Sequence, residues 1–237
     1  MTNQASFIVL CAPTARSQAY LQAMQVADLA PQHILVYGWS NPRNVSNSRY
    51  RHDLDIFVPD FDVTLQQTIN ESGWDATYID NDDIGGEEIN HILQRLSPAL
   101  TVFSGFGGQL VPSHTLVSAG NLLHVHSGWL PDYRGSTTIY YSLLNEKRCA
   151  ATALLLTNNI DDGPILARKH YPAPTKNSDI DYAYDCSIRA DLLSSVLKSY
   201  VINKALPEPI TKESEGEMYY VIHPLLKHLA ILSLKDK

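Results

Sequence analysis

Cysteine is scarce in this sequence: Cys11, Cys149 and Cys186 are the three among 237 residues. They lie far apart and lack the close spacing of a metal-binding motif, which argues against both a disulfide framework and a cysteine-based zinc site. Free thiols are typical of a reducing compartment. We therefore expect a cytoplasmic protein.

Positive charge and long hydrophobic runs are also in short supply. Lys and Arg number 18 against 25 Asp and Glu, so the net charge is −7, which disfavours non-specific binding to nucleic acid or to an anionic membrane. The first apolar run, 7–11, has only the length of a strand, and no basic region precedes it. We expect no signal peptide, no membrane span and no nucleic-acid partner.

Glycine is missing from the turn after this first run, which spans Ala12 to Arg16, so the dinucleotide-binding fingerprint is absent. The rest of the chain nevertheless alternates short apolar runs with helical periodicity, which predicts an α/β fold with a mostly parallel sheet and flanking helices. The predicted strands are 7–11, 34–37, 76–79, 101–103, 122–126, 151–156 and 165–171. The predicted helices are 17–28, 64–72, 87–96, 136–145 and 181–200. Residues 38–62 are polar, and we expect a loop or insertion there, either a lid or a substrate loop.

Polar loops follow three of these strands, near Ser104, His126 and Thr157. In an open α/β sheet, ligands bind outside the carboxyl ends of the strands, so we expect the loops to form one site. His124 and His126 point to the same face of their strand, and an acidic turn at Asp161 follows the third strand.

These residues support more than one interpretation. His126 could be a general acid or base whose charged form is favoured by Asp161, or both histidines could be structural. His124, His126 and Asp161 could also form a two-histidine, one-carboxylate metal site. The helix start at 134–137 could bind an anion or simply cap the helix. The neighbouring aromatic side chains could stack on a ligand or lie in the core: Trp129, Tyr133, Tyr140 and Tyr141.

Three segments together resemble the formyltetrahydrofolate-dependent formyltransferases. Residues 123–135 resemble that family's strand ending in Asn-x-His and its following loop, and 157–166 resemble its Leu-Asp-x-Gly-Pro-Ile loop. Residues 104–110 resemble its folate-side loop. The resemblance covers roughly residues 75 to 200 in the family's order. It implies a Rossmann-like formyltransferase fold and transfer of a formyl group from formyltetrahydrofolate to an amine.

The resemblance also implies roles for individual residues. His126 matches the catalytic histidine, a proton shuttle, and Asp161 matches the catalytic aspartate, which is expected to raise the pKa of that histidine. The cofactor-binding positions are Phe106, Gly108, Gln109, Leu110, Asn158, Asn159 and Ile160. The positions expected to bind substrate are Ser127, Trp129, Tyr133 and Arg134.

One position departs from the family: His124 stands where the family has its catalytic asparagine. The asparagine amide is expected to donate a hydrogen bond to the developing oxyanion, and losing such a donor typically costs about a hundredfold or more in rate. Either His124 takes over as donor, or the chemistry differs. The different chemistries are a metal-dependent enzyme, a formyl hydrolase and an inactive folate-binding homologue.

The acceptor is inferred from this resemblance and by exclusion. The negative charge argues against tRNA, and the glycine-free first turn argues against a ribose phosphate. A nucleotide-linked amino sugar is therefore the expected acceptor. We further expect a formyltransferase-like α/β domain at 1–205, a C-terminal extension with an apolar helix at 206–237, and a homodimer as a possible assembly.

Overall fold

The computed structural model describes residues 6–40, 55–212 and 215–236. Most of the loop predicted at 38–62 therefore lies outside the described residues. The strands are β1 (Ile8–Cys11), β2 (Ile34–Tyr37), β3 (Ala76–Ile79), β4 (Leu100–Ser104), β5 (Asn121–His126), β6 (Tyr133–Gly135), β7 (Arg148–Leu155), β8 (Ile165–Pro172) and β9 (Glu217–Tyr219). The helices are α1 (Ala15–Val26), α2 (Leu65–Ser72), α3 (Glu87–Leu96), α4 (Ser113–Ser118), α5 (Thr138–Glu146), α6 (Asp185–Asn203) and α7 (Pro224–Leu232).

The main sheet has seven strands in the order β3-β2-β1-β4-β5-β7-β8. The first five strands in this order are parallel, and β7 and β8 are added antiparallel. The mostly parallel α/β fold predicted from the sequence is thereby confirmed. The strand order changes direction between β1 and β4, and in such sheets this switch point opens a crevice at the carboxyl ends of the strands.

Alternate residues of the central strands supply two separate cores. Val9 and Cys11 belong to the core that also contains residues of α1, α2, α5 and α6, whereas Ile8 and Leu10 belong to the core that contains residues of α3. Both sets are buried because successive side chains of a strand point to opposite faces. This explains the uninterrupted apolar runs in the sequence.

Two helix starts have clear local causes. Thr64 and Gln67 form a reciprocal capping box at α2, and the Thr14 hydroxyl accepts from the Ser17 amide at the start of α1. The predicted helix 181–200 instead consists of a π-helical turn, Ile180–Tyr184, followed by α6. None of the helices in the described ranges is long and apolar enough to cross a membrane.

The C-terminal segment folds back onto the main sheet. Ile210 forms a bridge with Ile165, and β9 pairs in parallel with β6 in a second, two-stranded sheet. Lys227 of α7 forms an ion pair of 2.6 Å with Asp181. The sequence analysis predicted neither β6 nor β9, because strands of three residues give too little alternation to recognise.

Candidate active site

A cavity of about 740 Å³ lies over the carboxyl ends of β1, β4 and β5. Its wall contains Arg16 after β1, residues 106–111 after β4, and His124 and His126 on β5. Residues 156–161, which follow β7, complete one side. The structure thus brings the three loops singled out in the sequence around one cavity.

His126 is buried, and both of its ring nitrogens face oxygen atoms. Nε2 lies 2.7 Å from the Tyr133 carbonyl and 3.3 Å from the Thr138 hydroxyl, whereas Nδ1 lies 3.4 Å from Oδ2 of Asp161. A carbonyl can only accept, so Nε2 carries the proton of the neutral ring. Nδ1 is then free to take up a second proton, which would lie between the ring and Asp161.

Asp161 is held in place by the backbone of β6. Its Oδ2 accepts a hydrogen bond of 2.8 Å from the Gly135 amide, and Asp161 has a positive φ of 51°. Gly135 itself has φ 101°, and a Cβ there would lie 2.1 Å from the Tyr219 carbonyl oxygen. This position therefore needs glycine for the backbone to approach both β9 and the carboxylate.

The charge balance keeps the ring of His126 neutral. Burial lowers the pKa of His126 below its ordinary value, and the attraction of Asp161 offsets this only in part. The attraction of Asp161 raises the pKa of His126, as expected from the sequence. The pKa is nevertheless lower than the ordinary value, because burying a charged ring costs more than Asp161 offsets.

His124 lies beside His126 in the cavity wall but has different surroundings. Its Nδ1 is 3.5 Å from the Phe103 carbonyl, and its ring packs at 6.1 Å from the Phe103 ring. Burial, and then the charges of Arg16 and Arg189, lower the pKa of His124 well below its ordinary value. His124 is therefore a neutral imidazole with one N–H to donate.

The predicted cofactor-binding positions all lie in the cavity wall: Phe106, Gly108, Gln109, Leu110, Asn158, Asn159 and Ile160. The Gln109 side chain is already used, accepting from the Tyr37 hydroxyl at 2.7 Å and donating to the Asp82 carbonyl at 2.9 Å. Leu110 is 66% exposed and Ile160 is 46% exposed. These two apolar side chains would gain burial if a flat ring lay against this wall.

Of the four predicted substrate-binding residues, only Ser127 lines the cavity. The Trp129 ring instead stacks at 3.9 Å on His170, and the Tyr133 ring stacks at 5.4 Å on Tyr219. Arg134 donates to the Ile160 carbonyl at 2.9 Å. These three side chains hold the surrounding loops together, a role that a sequence motif does not distinguish from ligand binding.

The metal interpretation has no support in the geometry. Within the ranges 6–40, 55–212 and 215–236, no group of three histidine, cysteine or carboxylate side chains is arranged to hold a metal ion. Although His124 and His126 share a face of β5, Nδ1 of His124 faces the Phe103 carbonyl whereas Nδ1 of His126 faces Asp161.

The sequence analysis missed several residues of the cavity wall. Arg16, Asp185 and Arg189 bring charge to its base, and residues 218–221 close it from the C-terminal segment. Arg16 could have been recognised from the sequence, because it lies in the turn that follows the predicted strand 7–11. The pair Asp185 and Arg189 has the (i, i+4) spacing of a helical ion pair, and the two side chains are 2.8 Å apart.

Comparison with known families gives one match over most of the chain. The family described as "Formyl transferase" matches residues 8–185. Methionyl-tRNA formyltransferase of Streptococcus sanguinis is 33% identical over 104 residues, which is 43% of this chain and 33% of that protein. The corresponding protein of Finegoldia magna is 31% identical over 136 residues, 54% of this chain and 42% of that protein. The matched segments thus span less than half of these relatives' own length.

Solved structures with the same fold cover nearly the whole chain. A sugar N-formyltransferase from a Shewanella species has a TM-score of 0.60 at 16% identity, covering 96% of this chain and 87% of that chain. A 4-N formyltransferase from Francisella tularensis has a TM-score of 0.59 at 14% identity, covering 98% and 88%. At these identities the likeness concerns the fold.

Proposed function

Since this chain belongs to the formyl transferase family, we propose that it transfers a formyl group from formyltetrahydrofolate to a primary amine of a small molecule. The observation that carries the proposal is the His126–Asp161 pair at the base of the cavity. A neutral imidazole beside an anchored carboxylate is suited to accept the proton that an attacking amine loses.

The contacts of His126 indicate the path of this proton. At rest, Nε2–H donates to the Tyr133 carbonyl, and Nδ1 faces Asp161 without a proton between them. When the amine attacks, its proton passes to the His126–Asp161 pair, directly or through a water molecule. The resulting imidazolium donates to Tyr133 on one side and to Asp161 on the other, so its charge is balanced inside the cavity. It would then return the proton to the nitrogen from which the formyl group departs.

One part of the cavity wall is suited to bind the planar ring of formyltetrahydrofolate. The exposed side chains of Leu110 and Ile160, with Phe106, offer an apolar surface to a planar ring, and Gly108 lies beside them in the cavity wall. When bound, this group supplies the electrophilic formyl carbon. His124 would donate to the oxygen that gains negative charge as the tautomer with its proton on Nε2, which gives up the 3.5 Å contact of Nδ1 with the Phe103 carbonyl.

We further propose a nucleotide-linked amino sugar as the acceptor. The net charge of −7 disfavours a tRNA acceptor. The similarity in fold to the Shewanella sugar N-formyltransferase is compatible with a sugar. Residues 219–221 of the C-terminal segment form part of the cavity wall.

The test is to measure consumption of formyltetrahydrofolate by the purified chain with a panel of nucleotide-linked amino sugars. We expect acceptor-dependent consumption and a formylated product. His126→Ala and Asp161→Asn should each reduce turnover by about a hundredfold or more while binding of a stable folate analogue changes little.

Two results would contradict the proposal. Consumption that needs no acceptor and releases formate would indicate a hydrolase. Near-normal turnover in both variants would remove the assigned roles of His126 and Asp161.

A further inference from the structure

Asp161 has a backbone conformation that its neighbours must impose. Its φ of 51° lies in the left-handed region, which costs free energy for any residue with a Cβ. Such a conformation persists where the surrounding contacts outweigh that cost. The Gly135 amide fixes the carboxylate of Asp161, but it does not hold the peptide groups on either side of this residue.

The peptide group before Asp161 is held by Arg134. Its Nη2 and Nε donate to the Ile160 carbonyl at 2.9 Å and 3.3 Å, and its Nη1 donates to the Glu215 carbonyl at 3.4 Å. The planar fork of donors in a guanidinium can reach two carbonyls at once in this way. Arg134 thus joins the loop of Asp161 to the C-terminal segment.

The peptide group after Asp161 is held by Lys212 of the C-terminal segment. The Lys212 ammonium donates to the Asp162 carbonyl and, at 2.7 Å, to Oδ1 of the Asp162 side chain. The hydrogen bond from Lys212 lowers the pKa of Asp162, so this carboxylate stays charged at neutral pH and keeps its lysine partner. Asp161 therefore lies between two carbonyls, each of which accepts from a cation.

These contacts act on the loop of Asp161 and not on the main sheet. The residues that accept from Arg134 and Lys212 lie outside the strands and helices. Nδ1 of His126 lies 3.4 Å from Oδ2 of Asp161, which is at the long limit of a hydrogen bond. A small movement of the loop would break this contact.

We propose that Arg134 and Lys212 are positioning residues that hold the Asp161 carboxylate where it faces His126. The inference rests on the proposed function for its effect on turnover, whereas its effect on the position of Asp161 does not. Because Lys212 and Glu215 belong to the C-terminal segment, that segment is part of what positions the His126–Asp161 pair.

The experiment measures amide hydrogen exchange of the full chain by NMR at neutral pH, without substrate. The Gly135 amide donates to Asp161 and reports its position. The Ser136 amide donates to the Tyr219 carbonyl at 2.9 Å and reports the contact with β9. Asp161→Ala supplies the exchange rate of the Gly135 amide when its acceptor is removed.

Arg134→Gln and Lys212→Gln are the test variants, and Lys212→Arg is the conservative variant that keeps a cation. The matched controls are Arg148→Gln and Lys176→Gln. Each of these removes a surface ion pair, with Glu146 or with Asp236, from outside the cavity wall.

We expect the Gly135 amide to exchange about tenfold faster in each test variant, because a charge-assisted hydrogen bond that holds its acceptor is lost. Exchange of the Ser136 amide should stay within a few-fold of wild type in every variant. The Gly135 amide should exchange at nearly the wild-type rate in Lys212→Arg and in both controls.

A turnover assay tests the consequence for the reaction. Each test variant should lower kcat by about tenfold and leave the KM of the acceptor within a few-fold of wild type. In the Asp161→Asn background, neither Arg134→Gln nor Lys212→Gln should lower kcat further, because the three residues act as a unit.

Wild-type exchange of the Gly135 amide in both test variants would overturn the inference. Equal acceleration at Gly135 and Ser136 would also overturn it, because the contacts would then serve only to dock the C-terminal segment. If Arg134→Gln does not fold, wild-type exchange at Gly135 in Lys212→Gln has the same force.

Two outcomes separate this inference from the proposed function. Faster exchange at Gly135 in a chain that transfers no formyl group would refute the proposed function and leave the positioning of Asp161 in place. Faster exchange at Gly135 with wild-type kcat in an active chain would overturn the inference, because the position of Asp161 would not limit turnover.

Discussion

At the scale of single residues, the site depends on the different surroundings of two neutral histidines. His126 has acceptors on both sides, so protonating Nδ1 adds a contact with Asp161 while Nε2–H keeps its contact with the Tyr133 carbonyl, although burial opposes that protonation. His124 has one distant carbonyl and two arginine charges nearby, so protonating it brings little gain. The same residue type can therefore act as a proton acceptor at one position and as a neutral donor two residues away.

The pH dependence of the reaction follows from His126. Burial lowers its pKa below the ordinary value of 6.5, so the base form persists into mildly acidic solution. We expect the acidic limb of kcat/KM to have its midpoint below 6.5. Asp161→Asn should move it lower still, because Asp161 opposes the effect of burial. A midpoint at or above 6.5 in the wild-type chain would show that another group controls the limb.

Substitutions of His124 test its role as a donor. His124→Ala removes the N–H and should lower kcat by about tenfold to a hundredfold. His124→Asn restores the amide to which the family motif corresponds and should keep kcat within a few-fold of wild type. The measurement is kcat under saturating acceptor. Equal kcat in His124→Ala and wild type would mean that the oxyanion is stabilised elsewhere.

At the scale of secondary-structure elements, the short strands β6 and β9 connect the Asp161 carboxylate to the C-terminal segment. β6 supplies the Gly135 amide to Asp161 and pairs with β9, while the Ile222 amide donates to the Thr137 hydroxyl at 2.8 Å. Lys212 donates to Asp162 at 2.7 Å on the same loop as Asp161. Residues 218–221, within the segment predicted as an extension, therefore contribute to the cavity wall.

Gly135→Ala should break this connection. The added Cβ meets the Tyr219 carbonyl oxygen, and φ is in the region that only glycine adopts easily. We expect a loss of about 2 kcal/mol or more in the free energy of unfolding, together with reduced turnover because Asp161 loses its anchor. Denaturant titration and a turnover assay measure the two effects.

Gly107→Ala is the control for stability, since no atom lies within 4 Å of its added Cβ and its φ is ordinary. Its free energy of unfolding should stay close to that of wild type. Similar losses in the two variants would mean that the contact with β9 is not the cause.

At the scale of the whole molecule, buried histidines link folding to pH. Burial lowers the pKa of both His124 and His126, so below 6.5 the unfolded chain binds more protons than the folded chain. The stability that these groups contribute is fully present above the unfolded pKa and is lost as the pH falls below it.

We therefore expect the free energy of unfolding to decrease as the pH is lowered from about 7 to about 5. His124→Asn cannot be protonated in this range and should reduce the slope. Denaturant titrations across this interval measure the slope directly. The same slope in wild type and His124→Asn would contradict the contribution assigned to His124.

The sequence alone determined the sheet and its main strands, because a strand buried on both faces is apolar throughout, as β1 and β2 are. It also indicated His126 and Asp161, because each lies in a polar segment at the end of a predicted strand. Since β7 runs antiparallel to β5, only the fold shows that the loop after β7 reaches His126. The sequence could not supply β6 and β9, whose pairing joins residues more than eighty positions apart.

Only the tertiary structure decided which polar residues face the cavity. Trp129, Tyr133 and Arg134 lie in the motif but turn towards neighbouring loops, whereas Arg16 and Arg189 lie outside the motif and line the cavity. The physical reason is that a charged or hydrogen-bonding group interacts with the groups near it in space, whatever their distance along the chain. Residue types and local spacing fix which strands are buried, but the neighbours of a charged side chain are known only when the fold has placed them.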